Sequence, residues 1–252
     1  MQKISIAVAV YNEEKNIGAC LSSISEWAEE IIVVDGGSTD HTVEIAKRYK
    51  AKIIRTTNPP IFHINKQKAL DACSGEWILQ LDADEIVPEP LKKEIIAVIQ
   101  NRSNRVVGYY IPRRNYFWGH AMKKGGQYPD YVIRLFKKGM AQFPCKSVHE
   151  QIHIDGKVGY LQSPLDHLSY RTSKDYWRKA DRYTTLTAME MKQANLPGTF
   201  TGWFTYTILK PVKTFFSIFI RHKGFMDGWY GFIFAYWSAL HFPIAYRKFI
   251  RL

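Results

Sequence analysis

The chain has 252 residues, 46% of them hydrophobic, which is enough for one large domain or for one domain with an appendage. Its net charge of +12 requires an anionic partner, and nucleic acid, nucleotide phosphates and anionic lipid head groups all qualify. Cys20, Cys73 and Cys145 lack metal-ligand spacing and no secretory signal follows Met1, so we expect reduced thiols in a cytoplasmic protein.

The first hundred residues alternate between strand-like and helix-like segments. Apolar runs predict strands at 4–10, 31–34, 52–54 and 77–81. Helical patterns follow each of them, the last running from Pro88 to about Gln100. This alternation implies right-handed crossovers and a mostly parallel sheet. The loops after the first, second and fourth strands should therefore share one edge of the sheet.

After the first hundred residues the pattern changes. Strand-like segments joined by Gly- and Lys-rich turns occur at 106–112, 131–136, 148–154 and 158–161. The loop 116–126 between two of them is aromatic and basic and looks mobile. A long helical pattern runs from Lys174 to about Gln193. We therefore divide the chain into 1–105, 106–172 and 173–252.

Asp82-Ala83-Asp84 directly follows the predicted strand Trp77–Leu81. Open α/β sheets bind ligands at the carboxyl ends of their strands. Two carboxylates facing a crevice there would repel each other unless a cation lay between them. Mg²⁺ and Mn²⁺ prefer oxygen ligands and commonly bridge to substrate phosphates. A turn that caps the next helix is the alternative, since Asp is common in turns.

Asp35 ends the second predicted strand and begins the run DGGSTDHT. The two glycines permit a tight turn, and Asp40 is suited to capping the next helix. Asp35 itself can accept hydrogen bonds from a nucleobase imide or a ribose hydroxyl. Neither the dinucleotide fingerprint nor the P-loop is present. Any bound phosphates would therefore depend on a metal and on basic side chains.

The segments YNEE, VVDGGSTDHT and LDADE, in this order and spacing, resemble the nucleotide-diphosphosugar domain of family 2 glycosyltransferases. The resemblance extends through GGQYPDYVIRLFKKG, VHE and the aromatic C-terminus to a small bacterial subgroup similar to lipopolysaccharide-core β-glucosyltransferases. It implies an α/β fold with a GT-A-type, Rossmann-like, mostly parallel sheet and flanking helices, plus a C-terminal aromatic helical membrane-associating segment. The three parts then become a nucleotide-sugar-binding half, the acceptor-side half of the same catalytic domain, and a C-terminal helical segment.

Carried over by position, the resemblance also implies a donor site. The nucleoside pocket would be lined by Tyr11, Asn12, Glu13 and Asp35, with Lys66 or Lys68 near the ribose or diphosphate. Asp84 would be the main metal ligand, and Asp82 would contact the ribose or the metal. A divalent cation, Mg²⁺ or Mn²⁺, would stabilise the negative charge that develops on the β-phosphate. Arg134 would add to this stabilisation, ahead of the loop lysines Lys123 and Lys124.

An inverting transfer to a hydroxyl needs a base that removes the acceptor proton. The family usually draws it from an acidic pair followed by Arg, and here Asp130, before Arg134, matches only the later acidic position. Glu150 is the rival, beside His149, which is assigned to substrate binding. The base therefore stays open between Asp130 and Glu150. His167 is interpreted as a structural histidine, with an approach to the metal as the alternative.

The residues from Phe200 onward are dense in Phe, Trp and Tyr, with Lys and Arg on the flanks. Between Trp229 and Tyr246 no charged residue occurs, but Gly231, Ser238 and Pro243 interrupt the apolar run, so a clean transmembrane span is not expected. The composition is typical of helices in a membrane interface. A helical pair packed on the catalytic domain is the compatible alternative. An anionic membrane surface is therefore an expected partner.

Together these features predict an inverting, metal-dependent enzyme at the inner face of the cell membrane. It would move a hexose from a nucleotide sugar, with UDP preferred, to a hydroxyl of a lipopolysaccharide, polysaccharide or glycolipid acceptor. Transfer to a polyprenyl phosphate is the alternative within the family. A sugar nucleotidyltransferase is more remote, because its Gly-rich basic N-terminal loop is absent. Nucleic acid is not an expected partner, because no recognised nucleic-acid motif accompanies the positive charge.

Overall fold

The computed structural model describes residues 3–101, 103, 105–145, 151–194 and 199–252. It divides into two compact units. The first comprises Met1–Arg113 with Tyr131–His167, and the second comprises Arg114–Asp130 with Leu168–Leu252. The predicted three-part division follows function rather than compactness, and it stays a prediction.

The first hundred residues form alternating strands and helices, as predicted. The elements are β1 (Ile4–Val10), α1 (Ile17–Ser22), β2 (Glu30–Asp35), α2 (Thr42–Arg48), β3 (Lys52–Arg55), α3 (His63–Asp71), β4 (Trp77–Leu81), β5 (Glu85–Ile86) and α4 (Glu89–Gln100). Every residue of β4 is buried, and so is nearly every residue of β1. Such continuous apolar runs are typical of parallel strands that are covered on both faces.

Seven further strands and one long helix follow in the described residues. They are β6 (Gly108–Phe117), β7 (His120–Ala121), β8 (Asp130–Lys137), β9 (Ala141–Gln142), β10 (His153–Ile154), β11 (Val158–Tyr160), β12 (Leu165–Tyr170) and α5 (Ser173–Gln193). The strand predicted to stop at Pro112 continues through it. The strand predicted at 148–154 lies partly outside the described residues.

The main sheet has the strand order β3-β2-β1-β4-β8-β6-β12-β5. The pairs β3–β2, β2–β1 and β1–β4 are parallel, whereas β8 joins β4 antiparallel. The sheet is therefore mixed, and its parallel part is the predicted one. In the register, Val10 lies beside Asp35, and Val8 lies beside Leu81. The loops that begin at Tyr11, Gly36 and Asp82 consequently leave the sheet at the same edge.

Side chains from both faces of the parallel strands form the core of the first unit. On one face, Ile6, Val8 and Leu79 belong to a buried cluster with residues of α1 and α4. On the other face, Ala7 and Ile78 pack in a second cluster with residues of α3. Helices thus cover both faces of the sheet, the layered arrangement expected of an α/β domain.

The second unit is mainly helical. After α5 come α6 (Phe200–Phe204), a π-helical turn (Thr205–Leu209), α7 (Lys210–Phe216), a second π-helical turn (Ser217–Arg221), a 3₁₀ turn (Gly224–Asp227) and α8 (Gly228–Phe249). Gly231 lets α8 approach the turn before it, because a Cβ there would lie 1.9 Å from the Gly224 carbonyl oxygen. The helix α8 runs unbroken through Pro243. Across the described ranges, no helix combines the length and the apolar character needed to cross a bilayer.

Candidate active site

The loops after β1 and β2 are joined by hydrogen bonds. Asn12 has a left-handed backbone, with φ of 54°, and its side-chain oxygen accepts from the Thr39 amide at 2.8 Å. The Asn12 amide donates to the Ser38 hydroxyl at 2.9 Å. Glu13 is also engaged locally, because its carboxylate accepts from Asn16 Nδ2 at 2.7 Å. Tyr11, in contrast, is exposed. The predicted nucleoside-pocket residues of the first loop thus lie directly beside the second loop.

Asp35 lies at a cavity of about 430 Å³. The cavity is lined by Asp35, Gly37, Ser38, Asp40, Val43, Glu44, Lys47, Arg55 and Thr56. Its volume is within the range of small-molecule sites. The Asp35 carboxylate is almost fully buried and accepts from the amides of Gly37 and Ser38, at 3.3 and 3.1 Å. Lys68 Nζ donates to Thr56 Oγ1 at 2.8 Å, so this predicted donor-site lysine stands next to the cavity lining.

Asp82 carries two close cationic partners. Lys66 Nζ lies 2.5 Å from its Oδ1, and Arg134 Nη2 lies 2.6 Å from its Oδ2. Burial alone would raise the pKa of Asp82, but Arg134 and Lys66 outweigh it and hold that pKa well below its usual range. Asp82 is therefore an ionised carboxylate that is already held at both oxygens. The predicted pair Asp82 and Lys66 is in direct contact.

Arg134 is buried beneath Asp82, with 6% of its surface exposed. Its Nη2 also donates to Glu85 Oε1 at 2.7 Å, and its Nη1 donates to Gln80 Oε1. Glu85 is fully buried and accepts from the Asp82 amide at 2.9 Å. A second guanidinium, that of Arg113, lies 3.7 Å from Glu85. These contacts favour a positioning role for Arg134 over the predicted direct contact with donor phosphates.

The sequence analysis assigned no role in the site to Glu85 or Gln80. Both carried a signal, because Gln80 is a polar residue inside the apolar run WILQL and Glu85 ends the run LDADE. A buried polar group needs a hydrogen-bonding partner, and Arg134 supplies it for both. The partner could not be read locally, since Arg134 lies on β8, far along the chain.

Asp84 lies next to His167. The Asp84 Oδ1 and His167 Nε2 atoms are 3.5 Å apart, and both side chains are about 15% exposed. The alternative in which His167 approaches the predicted metal ligand therefore gains support. Within the described ranges, no group of three or more His, Cys, Asp or Glu side chains is arranged to hold a metal. Mg²⁺ is usually bound through one or two carboxylates plus substrate phosphates, and Asp82 with Asp84 fits that smaller donor set.

Cys20 packs under the same loop. Its Sγ lies 3.6 Å from the Asp82 carbonyl oxygen, and the residue is fully buried. Burial raises the pKa of this thiol well above its ordinary value, and the nearby carboxylates add to the shift. Cys20 is a free thiol in the structure, which is consistent with the expectation of reduced cysteines.

In the second unit, Asn115 holds Asp130. The Asn115 side-chain amide donates to Asp130 Oδ2 at 3.2 Å and to the Gln127 carbonyl at 2.9 Å. Asn115 is buried, whereas Asp130 is partly exposed, so its carboxylate is oriented and reachable. The rival base Glu150 and the predicted substrate-binding His149 lie outside the described residues.

A buried carboxylate holds the loop that the sequence suggested to be mobile. Asp227 accepts from the amides of Lys123 and Lys124, at 2.9 and 2.8 Å, and lies 3.2 Å from His120 Nε2. Asp227 is only 5% exposed. The two lysines, considered for donor phosphates in the sequence, are anchored by their backbones and keep their side chains exposed.

The buried network around Arg134 supports a stability prediction. Replacing Arg134 with Met should lower the free energy of unfolding by about 3–5 kcal/mol, because Glu85 loses its closest cationic partner. Urea unfolding of the purified variant measures the loss. Adding Glu85→Gln should recover part of it, since the buried charge is then removed. An unchanged unfolding midpoint in Arg134→Met, or no recovery in the double variant, would contradict this interpretation.

Comparison with known proteins places the chain in a family. The model of "Glycosyl transferase family 2" matches residues 5–169. The lipopolysaccharide core biosynthesis glycosyltransferase LpsC of Rhizobium meliloti is 29% identical over 245 residues, covering 94% of this chain and 88% of LpsC. An uncharacterized glycosyltransferase of Rickettsia typhi is 26% identical, covering all of this chain and 86% of that protein.

Solved structures agree on the fold. The crystal structure of S. aureus TarS 1–349 in complex with UDP superposes with a TM-score of 0.50 at 18% identity, covering 88% of this chain and 74% of that chain. Another crystal structure of S. aureus TarS gives a TM-score of 0.51 at 19% identity, and this chain spans 45% of that neighbour. These likenesses support the GT-A-type architecture. The chain belongs to glycosyltransferase family 2 and is a glycosyltransferase.

Proposed function

We propose that this glycosyltransferase is inverting and metal-dependent, and that it moves a hexose from a UDP-sugar to a hydroxyl of a lipopolysaccharide-core or related glycan acceptor. The observation that carries the proposal is the shared sheet edge where Asp35, beside a cavity, and the Asp82–Asp84 loop emerge from the two strands that flank β1. The UDP complex of a protein with the same fold and the name of LpsC support the donor and acceptor classes.

Residues at this edge would bind the donor. In the proposal, Tyr11, Asn12, Glu13 and Asp35 contact the nucleoside, and Lys66 and Lys68 lie near the ribose and diphosphate. Residues 1–105 then form the donor-binding half, and residues 106–172 form the acceptor side of the catalytic domain. Arg134 acts through Asp82, because its guanidinium is buried and hydrogen-bonded to Asp82, Glu85 and Gln80.

Asp84 is the proposed main ligand of a divalent cation, with Asp82 as the second carboxylate. Such a cation supplies positive charge where negative charge develops on the departing diphosphate. Asp84 is the better candidate for direct ligation. The two Asp82 oxygens are already paired with Lys66 and Arg134, and Asp84 Oδ1 lies 3.5 Å from the imidazole of His167.

The transfer itself requires proton removal. As the acceptor oxygen attacks the anomeric carbon, the bond from that carbon to the β-phosphate oxygen breaks, and UDP leaves. The acceptor proton passes to a carboxylate, for which we propose Asp130 with Glu150 as the rival. The hydrogen bond from Asn115 orients the Asp130 carboxylate. We further propose that the enzyme works at the cytoplasmic face of the cell membrane, where a lipid-anchored acceptor is presented.

A thermal-shift panel of UDP-, GDP-, TDP- and ADP-hexoses, with and without Mn²⁺, tests the donor class. A ligand at about a hundred times its Kd stabilises the fold by about 2.7 kcal/mol, which for a chain of this length raises Tm by roughly 5–10 °C. We expect that rise with a UDP-hexose and Mn²⁺ and a smaller one without Mn²⁺. The proposal fails if no nucleotide sugar stabilises the protein. A rise confined to another nucleotide would overturn the UDP assignment.

A further inference from the structure

The helical segment 199–252 presents an exposed aromatic patch. We define the patch as Phe216, Phe225, Trp229, Phe232 and Tyr236, whose side chains are between 37% and 65% exposed. Ring contacts link its members. Phe232 lies 5.7 Å from Trp229 and 6.4 Å from Tyr236, centroid to centroid, and the rings of Phe215 and Phe219 connect it to Phe216 and Phe225. Two exposed aliphatic side chains, Ile220 and Met226, extend the same region of the chain.

The patch lies outside the buried core of its own unit, although Phe232 also packs against Phe215 and Phe219. Other positions of α8 supply the buried residues Phe234, Ala235 and Ala239. Phe234 packs with Phe117 and Tyr176 in the core of the second unit. The helix therefore already has a core-facing side. An additional contiguous aromatic surface of this kind marks a site of interaction rather than a folding requirement.

Positive charge surrounds the patch. Residues 199–252 contain seven Lys or Arg residues and a single acidic residue, Asp227. Asp227 is buried and engaged with the loop amides of Lys123 and Lys124, so it does not offset the surface charge. Arg221 and Lys223 are exposed in the turn just before Phe225. The surface thus combines aromatic side chains with nearly unopposed cations.

We propose that the aromatic patch docks on an anionic phospholipid bilayer, with Arg221 and Lys223 at the lipid head groups. Trp and Tyr favour the bilayer interface, and basic residues are attracted to anionic lipid. A second copy of the chain is a poorer partner, because a self-complementary contact would bring like charges together. This docking rests on the proposed function in so far as the acceptor is lipid-anchored, but it needs no donor.

Flotation with vesicles of phosphatidylcholine containing 30% phosphatidylglycerol tests the docking. We expect the protein to bind these vesicles, to bind pure phosphatidylcholine far less, and to lose affinity in high salt. The pair Phe225→Ser with Trp229→Ser, and separately the pair Arg221→Glu with Lys223→Glu, should each weaken binding about tenfold or more. The control for the aromatic variant is Tyr183→Ser, which removes a similarly exposed aromatic side chain on α5. The control for the charge-reversal variant is Lys93→Glu with Lys138→Glu, at two exposed lysines outside the helical segment. Both controls should bind vesicles as the parent protein does.

Three outcomes would overturn the docking proposal. The first is that the protein does not bind anionic vesicles. The second is that the control variants lose as much vesicle binding as the patch variants. The third is that the protein binds no vesicles but forms a concentration-dependent dimer, which the double variant Phe225→Ser with Trp229→Ser dissociates. The thermal shift with donor, measured on the same variants, separates this proposal from the function. If donor stabilises the parent protein but anionic vesicles do not bind it, the docking falls alone. If vesicles bind but no donor stabilises the protein, the proposed function falls instead.

Discussion

Replacing Asp84 with Asn should lower the rate of sugar transfer by about a hundred- to a thousandfold, the effect of removing a main electrostatic contributor to a transition state. The side chain follows β4 at the shared sheet edge, and asparagine keeps its size and shape while removing the charge. We therefore expect the variant to stay folded. Its loss should appear as a lower kcat and as the disappearance of the Mn²⁺-dependent part of the thermal shift.

Asp71→Asn serves as the matched control for Asp84→Asn, because Asp71 is an exposed carboxylate on α3 of the same unit. It should leave both the rate and the Mn²⁺ response unchanged. Asp82→Asn is a less selective test, since it also removes the partner of Lys66 and Arg134 and should lower stability. Full activity of Asp84→Asn with an unaltered Mn²⁺ response would refute the assignment of Asp84 as the main metal ligand.

Asp130→Asn should reduce kcat by about a hundred- to ten-thousandfold, the contribution typical of a general base, with little change in the KM for the donor. Asparagine keeps the size of the side chain and its contact region with Asn115, but it does not take up the acceptor proton. Steady-state assays with a hydroxyl acceptor measure both constants. Asp155→Asn, an exposed carboxylate in another loop, is the control and should be neutral.

The parallel variant Glu150→Gln decides between the two candidate bases. Loss of kcat in Glu150→Gln alone would transfer the role to Glu150 and show the Asp130 prediction to be wrong. Full activity in both variants would show that no hydroxyl proton needs to be removed. That result would favour a phosphate acceptor of the polyprenyl type.

The parallel half of the fold was predictable from local patterns. The strand at 4–10 and the strand at 77–81 match β1 and β4 residue for residue, because their apolar runs are bounded by polar residues. The rule that parallel crossovers align strand ends then located Asp35 and Asp82 at one edge. The strand β12 was missed, since its sequence LDHLSY carries only a weak apolar signal.

The partners of the site residues were not predictable in the same way. Arg134 reaches Asp82 only because β8 inserts beside β4 in antiparallel orientation, which no local pattern indicates. The hydrogen bond from the Lys123 amide to Asp227 likewise joins residues about a hundred positions apart. Such long-range polar contacts depend on tertiary packing, and a single sequence records only that a polar residue is present.

The buried thiol of Cys20 gives the Asp82 loop a natural chemical reporter. Alkylating reagents attack the thiolate, and both the enclosure of Cys20 and its raised pKa suppress that form. Modification must therefore wait for a local opening that exposes the sulfur, and the carbonyl of Asp82 is one of the groups that cover it. The alkylation rate of this cysteine therefore reports how often the region opens. A donor that closes the Asp82 loop should slow the labelling, and no added probe is needed to detect it.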